Sequence, residues 1–161
     1  IALEGMRLVI ENLPRAYNQP DDVQARGQMM AAGMMGAVAF QKGLGAIHAL
    51  SHPIGAIHGT HHGTTNAVCM PAVLRLNAPA IAARFDRAGG YIGIEGGFAG
   101  FQAFVDDFNA SLGIPRALGE IGVIDPDPDR LVREALADPS CDGNPIPLTA
   151  ENLRSLLLEL L

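Results

Sequence analysis

The apolar run Met29–Phe40 constrains the fold most: 12 consecutive uncharged residues, with Gly33 and Gly36 among them. It is shorter than the roughly 20 residues a bilayer-spanning helix needs, so it predicts a core helix and no membrane partner. Asp21 and Asp22, after Pro20, are N-cap candidates for a helix that would extend through VQARGQMMAAGMMGAVAFQ. Its surface is apolar nearly all round and its small residues permit close approach of neighbours. A central, buried position is therefore expected, with Met29, Met30, Met34 and Met35 as packing residues.

The remaining segments have the same period. IALEGMRLVIENLPRAY predicts a first helix disturbed by Pro14 near its end, and NAVCMPAVLRLN a helix kinked or broken at Pro71. FAGFQAFVDDFNASLGIP predicts a helix that stops at Gly113 and Pro115. An Asp-capped helix is expected in DPDPDRLVREALAD and a closing one, capped by Thr149, in TAENLRSLLLELL. GGYIGIEGG reads as a loop, since its glycines lack the G-x-G-x-x-G spacing that follows a strand in dinucleotide sites. No stretch alternates with period two, and Ala, Leu, Met and Gly outweigh β-branched and aromatic residues. The expected fold is all-α, one helical bundle spanning residues 1–161 as a single domain.

A formal charge of −6 without a Lys/Arg cluster argues against a nucleic acid partner. Cys69 and Cys141 form no CxxC pair, so neither a zinc knuckle nor a disulfide framework is indicated, and a reduced, cytoplasmic setting fits. The chain begins at Ile1 without a signal segment, as a piece cut from a longer protein would.

All five histidines fall within the 15 positions from His48 to His62. His48 and His52 are four residues apart, so a helix places them on one face, roughly 6 Å apart along its axis. Pro53, Gly55, Gly59 and Gly63 supply places for the chain to turn and return His62 to them. Three readings remain open from spacing: a metal site, catalytic imidazoles, or packed core histidines. Ala49 and Leu50 follow His48, so the glutamate of an H-E-x-x-H zincin is absent. Ferrous sites commonly include a carboxylate, and none lies between Lys42 and Pro71. DPDPD imitates the start of a calcium loop, but Arg130 and Leu136 stand where Gly and Glu are needed, so it reads as a rigid turn into a helix.

GLGAIHALSHPIGA followed by HHGTTNAVCMPAVLRLN resembles the signature of the iron-containing alcohol dehydrogenases. ENLPRAY, ARGQMMAAGMMGAVAF, LGIPRALGEIGV, ALADP and GNPIPLT extend that resemblance to the family's C-terminal, all-helical domain. The resemblance implies His48 and His62 as metal ligands and His52 as a catalytic proton relay beside the nicotinamide and substrate. It implies that Asp138 approaches the active-site mouth, with a helix-end turn as its competing role, and that His58 and His61 are bystanders. It also implies Fe2+, or Zn2+ or another divalent metal, together with NAD or NADP, and an alcohol or aldehyde substrate. The family's two further ligands, an Asp and a His, would lie upstream of Ile1, along with an N-terminal nucleotide-binding α/β domain; a homodimer is the expected assembly. Alternatives are a glycerol-dehydrogenase-like or dehydroquinate-synthase-like enzyme of the same architecture, or a non-catalytic helical interaction domain.

Overall fold

Seven α-helices and no strand make up the regular structure of the computed structural model, which describes residues 1–161, in agreement with the all-α expectation. They are α1 (Ala2–Asn18), α2 (Val23–Ala39), α3 (Ala46–His58), α4 (His62–Ile92), α5 (Gly97–Ser111), α6 (Pro128–Ala137) and α7 (Ala150–Leu160). Short 3₁₀ turns occupy Phe40–Lys42, Leu118–Ile121 and Pro139–Gly143. The expected caps form. Asp22 accepts the Ala25 N–H at 2.9 Å and Asp127 accepts that of Arg130 at 3.0 Å. Thr149 and Asn152 exchange bonds, the Thr149 hydroxyl accepting at 3.2 Å and the Asn152 carboxamide at 2.8 Å.

The chain divides into two compact units where the sequence suggests no division: Ile1–Lys42 with Ala82–Phe101, and Gly43–Ile81 with Gln102–Leu161. In the first unit α1 and α2 pack closely. A Cβ on Gly5 would lie 3.2 Å from Met35 Cβ, so the missing side chain lets the two helices approach. Ala25 and Ala32, seven residues apart, are the buried positions of α2.

The expectation that α2 is central and buried all round is overturned. Val23, Met30 and Met34 are 81%, 77% and 73% exposed, and Val38 and Phe40 are also exposed. Only one side of α2 has a neighbour within this chain, and a helix apolar on every side gives no signal of which side that is. Met29 and Met35 are half-buried, so packing by the four methionines is partial.

The second unit encloses the larger core. Leu50 and Ile54 from α3, Val68, Cys69, Ala72 and Val73 from α4, Leu131 and Ala135 from α6, and four leucines of α7 meet there. Cys69 is fully buried, which pushes its thiol up to about 12; it is a packing residue, as expected.

Proline placement is the second difference. Pro53 lies inside α3, Pro14 inside α1, and Pro71 and Pro79 inside α4, which is unbroken over 31 residues. A proline at position 71 leaves the Ala67 carbonyl without its helical donor. Asn109 of α5 donates to that carbonyl at 3.0 Å, which offsets the loss. GGYIGIEGG is a loop only from Gly93, where the backbone turns left-handed (φ 75°).

Candidate functional site

His48 lies in the first turn of α3 and His52 one turn later, as the four-residue spacing requires. The chain reverses at Gly59, not at Pro53. Gly59 has φ 70°, a left-handed geometry that glycine adopts without strain, and its N–H closes the helix on the Gly55 carbonyl at 2.9 Å. His61 then caps α4: its Nδ1 accepts the Thr64 N–H at 3.3 Å and its carbonyl accepts the Thr65 N–H at 2.9 Å. His62 is thereby fixed as the first residue of α4.

This reversal gathers three imidazoles. The ring centroids of His48 and His52 are 5.5 Å apart, those of His48 and His62 5.3 Å, and those of His52 and His62 5.6 Å. His58 and His61 stay outside the group. His58 is half-buried with Nε2 shielded and unpartnered, and His61 is exposed in its capping role. No three His, Cys, Asp or Glu side chains are grouped to hold one ion between them.

Asp138 is the helix-end turn residue and at the same time a partner of His52. It ends α6 and begins the Pro139–Gly143 turn, its Oδ1 accepting the Ser140 N–H at 2.7 Å. Its Oδ2 lies 2.8 Å from His52 Nδ1. Burial pushes the Asp138 carboxyl up, but the Ser140 hydroxyl and N–H and the His52 ring hold it below its ordinary value on balance. An ionised Asp138 accepts, so Nδ1 of His52 donates and Nε2 is left as the free nitrogen. Burial, followed by the neighbouring His62 and His52 rings, depresses the pKa of His48 below 6.5. At neutral pH its imidazole therefore keeps a lone pair.

The segment Asp138–Asn144 is fixed to α3 at its other end as well. Gly45 provides no side-chain cap for α3, and Asn144 Oδ1 accepts the Ala46 N–H at 3.1 Å across 98 residues of sequence. Asn144 also exchanges amide bonds with Asn77 of α4, at 3.0 and 2.8 Å. A Cβ on Gly143 would run into the Leu44 carbonyl, so the two backbones are in direct contact here.

Asn66 escaped the sequence reading. Its Nδ2 is 3.1 Å from His62 Nε2 and 3.4 Å from His48 Nε2. The available signal was its position four residues after His62, which puts both on one face of α4.

Fold and site together define an all-helical domain that presents histidines from two consecutive helices. The chain belongs to the iron-containing alcohol dehydrogenase family: the model described as "Fe-containing alcohol dehydrogenase family, C-terminal" matches residues 1–161. It is 40% identical over 166 aligned residues to the 4-hydroxybutyrate dehydrogenase of Cupriavidus necator, covering 98% of this chain and 43% of that protein. It is 32% identical to the NAD-dependent methanol dehydrogenase of Bacillus methanolicus, covering 97% and 43%. A solved 1,3-propanediol oxidoreductase superposes with TM-score 0.92 at 27% identity, over 99% of this chain and 44% of that one. The chain thus spans somewhat under half the length of these relatives. No helix is long and apolar enough to cross a membrane.

Proposed function

We propose that these residues are the metal- and substrate-bearing half of an alcohol dehydrogenase that moves hydride reversibly between NAD or NADP and an alcohol or aldehyde. The observation that supports this best is the convergence of His48, His52 and His62 with Asp138 on His52. His48 and His62 would supply two nitrogen donors to a divalent cation, Fe2+ or Zn2+, whose other ligands are not among these residues. The Asn66 amide lies within reach of both His48 Nε2 and His62 Nε2, so these nitrogens face one region, and His48 is neutral there. Such a cation would polarise a carbonyl and stabilise developing alkoxide charge.

The chain's own part is proton handling. Asp138 holds the His52 ring by Nδ1, which aims Nε2 as the atom that takes the alcohol proton or returns it. His52 is partly exposed, so the proton has a route to solvent. Asp138 thus serves the site through His52, a more specific role than proximity to substrate. The nicotinamide nucleotide requires a binding region beyond these 161 residues, because no strand here can offer a dinucleotide fold. A cytoplasmic setting and a homodimer belong to the same proposal; both cysteines are free, as a reducing compartment requires.

The test is metal content and nicotinamide-linked turnover of the complete gene product with His48→Ala, His62→Ala and His52→Ala. The two ligand variants should lose metal and activity together, whereas His52→Ala should retain metal and lose turnover. Full turnover in His48→Ala or His62→Ala would remove the proposal. Cofactor returned unchanged at the end of the reaction would favour a lyase of the same architecture.

A further inference from the structure

His48 and His62 stand on consecutive helices joined by residues 59–61, a turn that fixes one end of the α3–α4 pair. His48 belongs to the other end. It stands about 16 Å along α3 from Gly59, so a tilt of only about 4° would carry it about 1 Å. Donors that share one cation must keep their places to a few tenths of an ångström. Apolar contacts, such as those of Leu50 and Ile54 with Val68 and Cys69, hold the helices together without fixing an angle. Hydrogen bonds are directional, and a group of them closes the far end.

That group centres on Asn144. A Cβ on Gly45 would lie 2.9 Å from Asn144 Oδ1, so the missing side chain makes room for a cap delivered from elsewhere. Asn144 Oδ1 supplies it at the Ala46 N–H, just ahead of His48. The same oxygen accepts from the Asn77 amide, while Asn144 Nδ2 donates to Asn77 Oδ1 at 2.8 Å and to the Ile146 carbonyl at 2.7 Å. Both N–H donors and both lone pairs of the carboxamide are thus in use. Asn77 is buried and belongs to α4, the helix that carries His62. One side chain therefore grips the start of the His48 helix and the body of the His62 helix together.

We infer that Asn144 is a positioning residue for the two metal-binding histidines: by capping α3 and clasping α4 through Asn77, it sets the angle between these helices and hence the distance from His48 to His62. This rests on the metal reading of those histidines. Asn144 acts on the cation only through the helix that bears His48. A carboxylate could not replace it, since Asp would keep an acceptor for Ala46 but set a second oxygen against Asn77 Oδ1 and the Ile146 carbonyl.

The experiment titrates the metal-free complete gene product with Co2+, read by visible absorption, with thermal unfolding in parallel. Wild type, Asn144→Ala, Asn144→Asp and Leu157→Ala are compared, with His48→Ala as control. Asn144→Ala should bind Co2+ at least about tenfold more weakly and with shifted bands, since the bands follow ligand geometry. Leu157→Ala loosens the same unit from α7 and should unfold earlier while keeping the wild-type spectrum. Asn144→Asp keeps the cap but breaks the clasp, so it should shift the bands even if Asn144→Ala fails to fold. A wild-type spectrum and affinity in either Asn144 variant would overturn the inference and leave the amide a structural cap. Equal band shifts in Leu157→Ala would overturn it too, by showing that any loosening of the unit disturbs the site. If wild type binds no Co2+, or His48→Ala binds it unchanged, the metal reading itself falls, a result distinct from the other two.

Discussion

Helices α2 and α7 are both rich in apolar residues, and they fare oppositely. The 17 residues of α2 bury only Ala25 and Ala32, whereas the 11 of α7 bury Leu153, Leu156, Leu157 and Leu160. The difference lies in what interrupts the apolar residues. In α7, Glu151, Arg154 and Glu159 mark an outer face, and the leucines recur at helical spacing opposite to it. In α2 no charge follows Arg26, so hydrophobicity has no direction and reports amount only. Apolar content predicts a helix that needs cover; periodicity predicts where the cover is.

The sharpest way to break this contrast is a pair of truncations. Leu157→Ala removes a fully buried side chain from the second unit's core and should cost about 3 kcal/mol in urea unfolding. Met34→Ala on the bare side of α2 should cost less than about 0.5 kcal/mol. A comparable loss at Met34 in the complete gene product would show that its face is covered there.

Next in size is Gly143→Ala. The added methyl would overlap the backbone of Leu44, so the backbone must shift, at about 1–3 kcal/mol. Thermal unfolding and metal retention, measured together, should both fall, because Leu44 leads directly into α3 and its histidines.

Asp138→Asn sharpens the contrast between the site and its support. It preserves shape but weakens the acceptor that fixes the His52 tautomer, and turnover should drop roughly 10–100-fold with metal content unchanged. Steady-state kinetics beside metal analysis provides the check, and loss of metal would instead make Asp138 a structural residue.

The smallest expected effect is a pH dependence. His48 should titrate below 6.5 in the metal-free protein because burial disfavours its charged form. A depressed folded-state pKa means that the unfolded chain binds this proton more readily. The stability from neutral His48 is therefore complete above about 6.5 and lost as pH falls through the folded value. An NMR titration of the His48 ring proton that found a midpoint at or above 6.5 would contradict this.

Much of the architecture was legible because it is written locally. Asp22, Asp127 and Thr149 announce helix starts by chemistry that acts over three residues, and the structure places caps at all three. What acts over distance was not legible. Pro71 looks like a break until Asn109, 42 residues away, supplies a donor for the freed carbonyl. The exposure of α2 depends on what lies beside it, which its own sequence does not state. In the site, the histidines and their grouping follow from spacing and one glycine turn. The bond between His52 and Asp138 joins residues 86 apart, and no local pattern announces it.

The Asp138–Asn144 segment is fastened to α3 at both ends, by His52 at one and by the Ala46 N–H at the other. A strap anchored twice on the same helix keeps its span whatever occupies its middle. Cys141 and Asp142 lie between the two anchors and make neither of them, so their side chains can be exchanged while both anchoring bonds to α3 stay in place.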